Sequence, residues 1–573
     1  MNTEHYLYLI ARNELVIRIR TAKKDIKKCT VIYWSRTTPE TKKEIILECV
    51  QSDELFDYFE TTIKFSKVAR YQKYYFSLMD NTGERYYYSV NGFCNVVPED
   101  GYFEYLYANE NDVIKVPEWA KGTIYYQIFP ERFCDGNRYN NETNYMPWGS
   151  EPTRENFMGG DLAGIHQKIP YLKELGVECL YLNPIFEADF NHKYATTDYF
   201  KIDPIFGTND EFKKFVDACH NANIKVVLDG VFNHTGIHFK PFEDVLNNGK
   251  KSQYYNWFHI NADEIHISHN DYECVGAYKF MPKLNSSNSE VRKFILKVLN
   301  YWIENYGIDG WRLDVADEVD STVWREARCF LKEKYPDILL IGETWGYGDK
   351  LLVGNQLDSV MNYMFRDAVR DYFAKEIIDV ETFDYRINHM LAGYKKETNQ
   401  IMYNLLDSHD TERFLTMCNE NINKMKLAVA FQMLFIGSPA IYYGDEIGLT
   451  GLNDPDCRKC MIWDDTQNLE LKNWYKKWIK IRNEHLEIRK GSFKTVFVDN
   501  DKEVYAFARQ LGNEETYVFL RKGNVGAEEI VCSLFDSEKE YFDVWSNEKV
   551  INNNGTLSFA MEPYSVKVIS KKN

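Results

Sequence analysis

At 573 residues the chain is too long for one compact core and should divide into three or four domains. Its 44% hydrophobic and 27% charged residues are ordinary for a water-soluble globular protein. A net charge of −17 argues against a nucleic-acid partner, because phosphate binding needs a basic footprint.

The chain opens with MNTEHYLYLIARNELVIRIR, where Glu4 and Arg12 bracket a short apolar stretch, so no secretory leader is expected. Residues 1–117 read as short alternating strands, including ELVIRIRT (14–21), TVIYWS (30–35), KYYFSLMD (73–80) and RYYYSV (85–90), with a turn at Asn81 to Gly83. That pattern predicts an all-β sandwich ending near Pro117 and Glu118.

From Thr123 the texture changes to short apolar strands alternating with helices. TIYYQIF (123–129), ECLYLNP (178–184), IKVVLDGVF (224–232), GWRLDV (310–315), ILLIGET (338–344), SVMNY (359–363), IMYNLL (401–406) and AIYYGDE (440–446) give eight candidate strands. Helical segments such as 164–176, 209–223 and 289–307 separate most of them. This predicts a parallel (β/α)8 TIM barrel over residues 118–488. The alternation breaks over about residues 235–288, too long for an ordinary loop, so an inserted subdomain is expected there. Residues 489–573 return to β texture and predict a C-terminal β-sandwich.

The longest apolar run, Leu427 to Tyr443, holds Gln432, Gly437, Ser438 and Pro439, which fits a buried helix and strand better than a membrane span. Twelve scattered cysteines without a leader predict reduced thiols and a cytoplasmic protein without a membrane partner. The lone C-x-x-C of Cys457 and Cys460 has no second pair and is not read as a metal or redox motif.

In such a barrel the active site lies at the C-terminal strand ends. Those ends supply Glu131, Arg132, Asn183, Asp229, Asn233, His234, Arg312, Asp314, Glu343, His409, Asp410, Asp445 and Glu446. Arg312 and Asp314 stand two apart on one strand and so share a face. Carboxylates outnumber imidazoles and no H-E-x-x-H spacing, phosphate loop or serine elbow stands out. Carboxylates on adjacent strands suit glycoside hydrolysis, in which one attacks or stabilises and another protonates the leaving oxygen.

DGVFNH (229–234), GWRLDVADE (310–318), GETW (342–345) and LLDSHD (405–410) resemble, in order, four signature regions of the α-amylase family, glycoside hydrolase family 13. MPKLN (281–285), and an extra β-domain ahead of YYQIFPERF (125–133), resemble the branch containing neopullulanase, cyclomaltodextrinase and maltogenic amylase. The resemblance implies a retaining hydrolase of α-1,4-glucosidic bonds in cyclodextrins, maltooligosaccharides and pullulan or starch. Asp314 would be the nucleophile, Glu343 the general acid/base, and Asp410 the carboxylate that grips the sugar. Arg312 would hold Asp314 ionised, its charge lowering that carboxyl's pKa. His192, Tyr194, His234 and His409 would hold the reacting sugar, and Asp454 and Arg458 the one beyond it. Glu318 and Trp345 would line the leaving-group side; Ala195 stands where many relatives have Asp. DGNRYNN (135–141) and GGDL (159–162) resemble a calcium site of this branch, with Asp135, Asn137, Asn140, Asn141, Gly159 and Asp161 as its donors. The branch also implies a homodimer. Competing expectations are a transglycosylase, a general starch-degrading amylase, and a non-catalytic glucan-binding barrel.

Overall fold

The computed structural model describes residues 5–136, 145–533 and 535–572. Its centre is a closed barrel of eight parallel strands: β1 (Tyr125–Ile128), β2 (Cys179–Leu182), β3 (Lys225–Gly230), β4 (Gly310–Leu313), β5 (Leu339–Gly342), β6 (Ser359–Val360), β7 (Tyr403–Leu405) and β8 (Ser438–Tyr442). The ladder runs β6-β5-β4-β3-β2-β1-β8-β7, and a parallel bridge between Met361 and Tyr403 closes it.

Strand alternation splits the apolar residues into two layers. Tyr125, Tyr181, Val227, Leu339, Ile341 and Tyr403 fill the interior. Trp311, Leu313, Leu228 and Leu340 face outward and pack under the helices. The helix Ser289–Tyr306 shows how the local sequence sets this up. Asn288 caps its start by accepting the Glu290 N–H, and Gly307, at φ +76°, ends it in the left-handed region that glycine enters without penalty. β4 follows at once and is pinned laterally by β3 and β5.

Residues 235–288 carry a helix (Lys240–Asn248), 3-10 turns and antiparallel bridges around Phe242, Phe258, Tyr272 and Leu284. The apolar run resolves into a buried helix, Ile422–Leu434, followed by β8. Among the described residues no helix is long and apolar enough to cross a membrane.

Among the described residues, nine strands lie ahead of the barrel. The strand Lys43–Ser52 pairs with Ile26–Ser35 up to Leu47 and with Phe56–Lys64 from Glu48 on, with a bulge between Cys49 and Gln51 in the second ladder. This unit docks on the barrel helix Val380–Gly393, where buried Arg18 donates to the Ala392 carbonyl at 2.6 Å while paired with Glu60. Behind the barrel, a six-stranded and a three-stranded sheet form the C-terminal module. Its strand Glu528–Cys532 alternates, with Glu529 and Val531 exposed and Ile530 and Cys532 buried.

Candidate active site

The two residues that set the site's geometry, Asp229 and Arg312, are direct neighbours in the β3–β4 register. Asp314 lies two residues beyond Arg312 and therefore on the same face. Glu343 follows the end of β5, where Ile341 pairs Arg312. One guanidinium thus meets three acids: Arg312 Nη1 donates to Asp229 Oδ1 at 2.9 Å and to Asp314 Oδ1 at 2.8 Å, and Nη2 lies 2.9 Å from Glu343 Oε2. All four side chains are buried.

Three buried carboxyls beside one cation cannot all ionise cheaply. Burial, opposed by Arg312 and assisted by Asp410, pushes the Glu343 carboxyl up. The structure corrects the expectation for Asp314. Burial comes first and Arg312 pulls the other way, but Glu343 and Asp229 add repulsion, and its carboxyl moves up rather than down. The cause is visible in the contacts, since Arg312 is divided among three acids.

The turn after Asp314 completes the constellation. Val315 adopts φ +44°, a left-handed conformation that costs a β-branched residue about 1–3 kcal/mol, and its N–H donates to Glu343 Oε2 at 2.9 Å.

A hydrogen-bonded chain orients the sugar-facing groups. Gln127 Nε2 donates to His409 Nδ1 (2.8 Å), so the His409 proton sits on Nε2, facing Asp410 Oδ2 at 3.0 Å and the Tyr194 hydroxyl. Tyr194 donates to Asp229 (3.0 Å) and accepts from Asn183 (3.0 Å), with its ring parallel to His409 at 5.5 Å. Burial, with Arg458 and Arg312 nearby, keeps His409 neutral. His192 is pushed down to about 3, by burial and then Arg458, and accepts the Tyr194 N–H at Nδ1. His234 falls to about 4, mainly by burial, and neither ring nitrogen makes a hydrogen bond of good geometry inside the protein. Such a group is costly unless a ligand completes it.

These side chains line a cleft of about 450 Å³. Of the residues expected there, Asp314, Glu343, Asp410, His192, Tyr194, His234, Trp345, Asp454 and Arg458 line it directly, and Arg312 and His409 stand just behind. Arg458 bridges Asp454 (2.8 Å) and Asp410 (3.2 Å) while its Nε donates to the His409 carbonyl. The Trp345 ring stacks on Tyr363 at 4.3 Å yet remains 55% exposed.

Other expected residues fall elsewhere. Glu318 is not in the cleft wall; at the exposed rim it pairs with Lys283 at 2.9 Å, beyond the reach of a strand-end argument. Glu131 accepts the N–H groups of Met158 and Gly159, and Arg132 holds Asn156. Glu446 accepts from Tyr126 and Tyr171, and Asp445 pairs with Arg413. Those two strand-end pairs hold loops together. Cys457 and Cys460 are buried, and Cys457 donates to the His409 carbonyl.

Asn137, Asn140 and Asn141 lie outside the described residues. Of the remaining calcium donors, Asp161 caps a helix by accepting the Gly164 N–H (2.7 Å) and also accepts that of Gly136 (3.1 Å). Asp135 pairs with Gly160, beside Gly159.

Sequence reasoning missed Gln127 and Tyr181, which tie the inner network, and Phe190, Tyr278, Phe280 and Met281, which form an apolar outer wall. The aromatic stretch GAYKFMP in the insertion was the available signal for that wall.

The α-amylase catalytic-domain model matches residues 127–514, and the model of an α-amylase N-terminal Ig-like domain matches residues 2–109. The chain belongs to the α-amylase family of glycoside hydrolases. It is 43% identical to a cyclomaltodextrinase of Thermoanaerobacter pseudethanolicus over 98% of both chains. It is 40% identical to neopullulanase 2 of Thermoactinomyces vulgaris, over 98% of this chain and 97% of that one. A solved cyclomaltodextrinase superposes with a TM-score of 0.95 at 37% identity, covering 99% of this chain and 98% of the other. The barrel and its β-domains are therefore those of that branch.

Proposed function

We propose that this enzyme hydrolyses α-1,4-glucosidic bonds of cyclodextrins and short maltooligosaccharides with retention of configuration. The observation that carries the reading is that one guanidinium, Arg312, holds Asp314 at 2.8 Å and Glu343 at 2.9 Å side by side at the floor of the cleft. Two carboxyls held by one guanidinium suit the close spacing of a retaining pair, about 5–5.5 Å, rather than the about 6.5–9.5 Å that an inverting pair needs for its water.

Glu343, protonated, gives its proton to the glycosidic oxygen while Asp314 attacks the anomeric carbon. Arg312 occupies Asp314 Oδ1 and favours the ionised nucleophile. The product of this step is a β-glucosyl ester; Glu343, now a carboxylate, takes a proton from water, whose oxygen displaces Asp314. Asp410 and the neutral histidines 192, 234 and 409 bind the hydroxyls of the reacting sugar, with Tyr194 beneath its ring. Asp454 and Arg458 bind the next unit. Rates on β-cyclodextrin, pullulan and soluble starch test substrate class, with cyclodextrin expected to lead. Proton NMR of the first product tests the stereochemistry, with the α-anomer expected. The open Trp345 face also suits stacking of a sugar acceptor, so transfer products should rise when glucose is added.

The same reading includes a homodimer, supported by Phe93 (69% exposed), Val96 and Leu106 on the N-terminal module, and a cytoplasmic setting, supported by cysteines that form no disulfide among the described residues. A sizing column at micromolar protein should show a dimer. It also includes a structural Ca2+ held by Asp135, Asp161, the Gly159 carbonyl and Asn137, Asn140 and Asn141. Chelation should then lower the melting temperature.

A further inference from the structure

The hairpin leading into the cleft's outer wall carries a cluster that the reaction does not use. Residues 259–274 run out and back, joined by an Ile260–Tyr272 bridge and by backbone bonds from Asn261 N to Asp271 O (2.8 Å) and from Glu273 N to His259 O (2.9 Å). At the tip, IHISHND brings His266, His269 and Asp271 together. Asp271 Oδ2 lies 3.2 Å from His266 Nδ1 and 3.8 Å from His269 Nδ1. One donor atom from each of the three residues lies within 4.8 Å of the other two.

A tetrahedral ion with bonds of about 2.0–2.1 Å spaces its ligands about 3.4 Å apart, and the two measured edges bracket that length. Two imidazoles and one carboxylate suit Zn2+, Ni2+ or Cu2+, whereas Ca2+ and Mg2+ take oxygen sets. Asp271 Oδ2 accepts the backbone N–H of His266 at 2.8 Å, which fixes the carboxyl toward the two imidazoles. The imidazole side chains are 56% and 63% exposed, which gives an ion entry and leaves room for water. Ordinary surface pairing accounts for one histidine against Asp271. It does not account for a second imidazole turned toward the same oxygen.

We propose that His266, His269 and Asp271 form a surface site for a borderline divalent transition-metal ion, with water as the fourth ligand. The ion would staple the hairpin tip. The returning arm carries Val275, Tyr278, Phe280 and Met281 into the cleft wall, so the staple restrains that wall without touching the reacting groups.

The test is calorimetric titration of the chelator-stripped full chain with zinc chloride at neutral pH. The expected result is one site of micromolar affinity, weakened roughly tenfold or more by His269→Ala and abolished in a His266→Ala/His269→Ala double variant. Circular dichroism and the hydrolytic rate in chelator should not change in either variant. Asp271→Asn, which keeps the backbone contact, should also weaken zinc and guards against a misfolded double variant. The same zinc isotherm for the parent and all three variants, or no site of micromolar affinity in the parent, overturns the proposal.

Discussion

The barrel holds two buried arginine–carboxylate clusters that look alike by burial and charge. Arg312 meets Asp229, Asp314 and Glu343, while Arg413 pairs with Asp445 at 3.0 Å, with Asp407 nearby. In both, burial pushes the carboxyls up. The difference is in what completes each cluster. Arg413 also donates to the carbonyls of Cys457 (3.0 Å) and Tyr443 (2.8 Å), and Asp407 accepts the Phe414 N–H (2.6 Å). Only the Arg312 cluster opens onto the cleft, with Asp314 and Glu343 in its wall. A perturbed carboxyl marks a site only where a substrate can reach its proton.

Four substitutions would break or sharpen that contrast. Asp314→Asn should reduce turnover on cyclodextrin by roughly 10,000-fold or more with an unchanged melting temperature, because the amide keeps the shape while losing the nucleophile. Arg413→Met should do the reverse, costing about 3–5 kcal/mol in urea unfolding while the rate per folded molecule is kept. Equal rate losses in these two variants would erase the distinction. Trp345→Ala should raise KM several-fold, worth about 1 kcal/mol of stacking, with kcat nearly intact in steady-state assays.

The smallest effect concerns Asp384, a buried acid remote from the cleft whose carboxyl burial raises to about 6 despite bonds from Thr495 and Asn388. Its folded pKa lies above the ordinary 3.8, so its contribution to stability is full below about pH 4 and lost as pH rises through about 6. Asp384→Asn should therefore raise the melting temperature at pH 8, by the equivalent of roughly 1–3 kcal/mol, and leave it unchanged at pH 4. Activity has the same sign for a different reason. The rate should fall as pH rises through the elevated Glu343 value, where the proton donor is lost.

Strand alternation made the barrel legible, and with it the shared face of Arg312 and Asp314. The motif at each strand end carried the carboxylates and histidines of the cleft. What the sequence left hidden depends on distance and partition. That burial outweighs Arg312, which is split among three acids, and so leaves the Asp314 carboxyl raised, depends on the β3–β4 and β4–β5 registers together. Glu318 and Asp314 lie four residues apart, yet one reaches out to Lys283 and the other faces the floor. The positive φ of Val315 is equally invisible, since valine is among the residues least suited to it. Residues inside a family motif were readable, loop residues such as Tyr194 and Arg458 included; Gln127 and Tyr181 within the strands, and Tyr278 and Phe280 in the insertion, were not.

The assignment of Asp314 and Glu343 is tested most directly by trapping the ester. A Glu343→Gln variant should be treated with a 5-fluoro-α-glucosyl fluoride, whose fluoride leaves without acid assistance, and its peptides analysed by mass spectrometry. A 5-fluoroglucosyl adduct on Asp314 in the peptide GWRLDVADE, with the anomeric fluoride released, is the expected result. An adduct on Asp410 or Asp229, or turnover that releases the β-anomer with no adduct, would contradict the account.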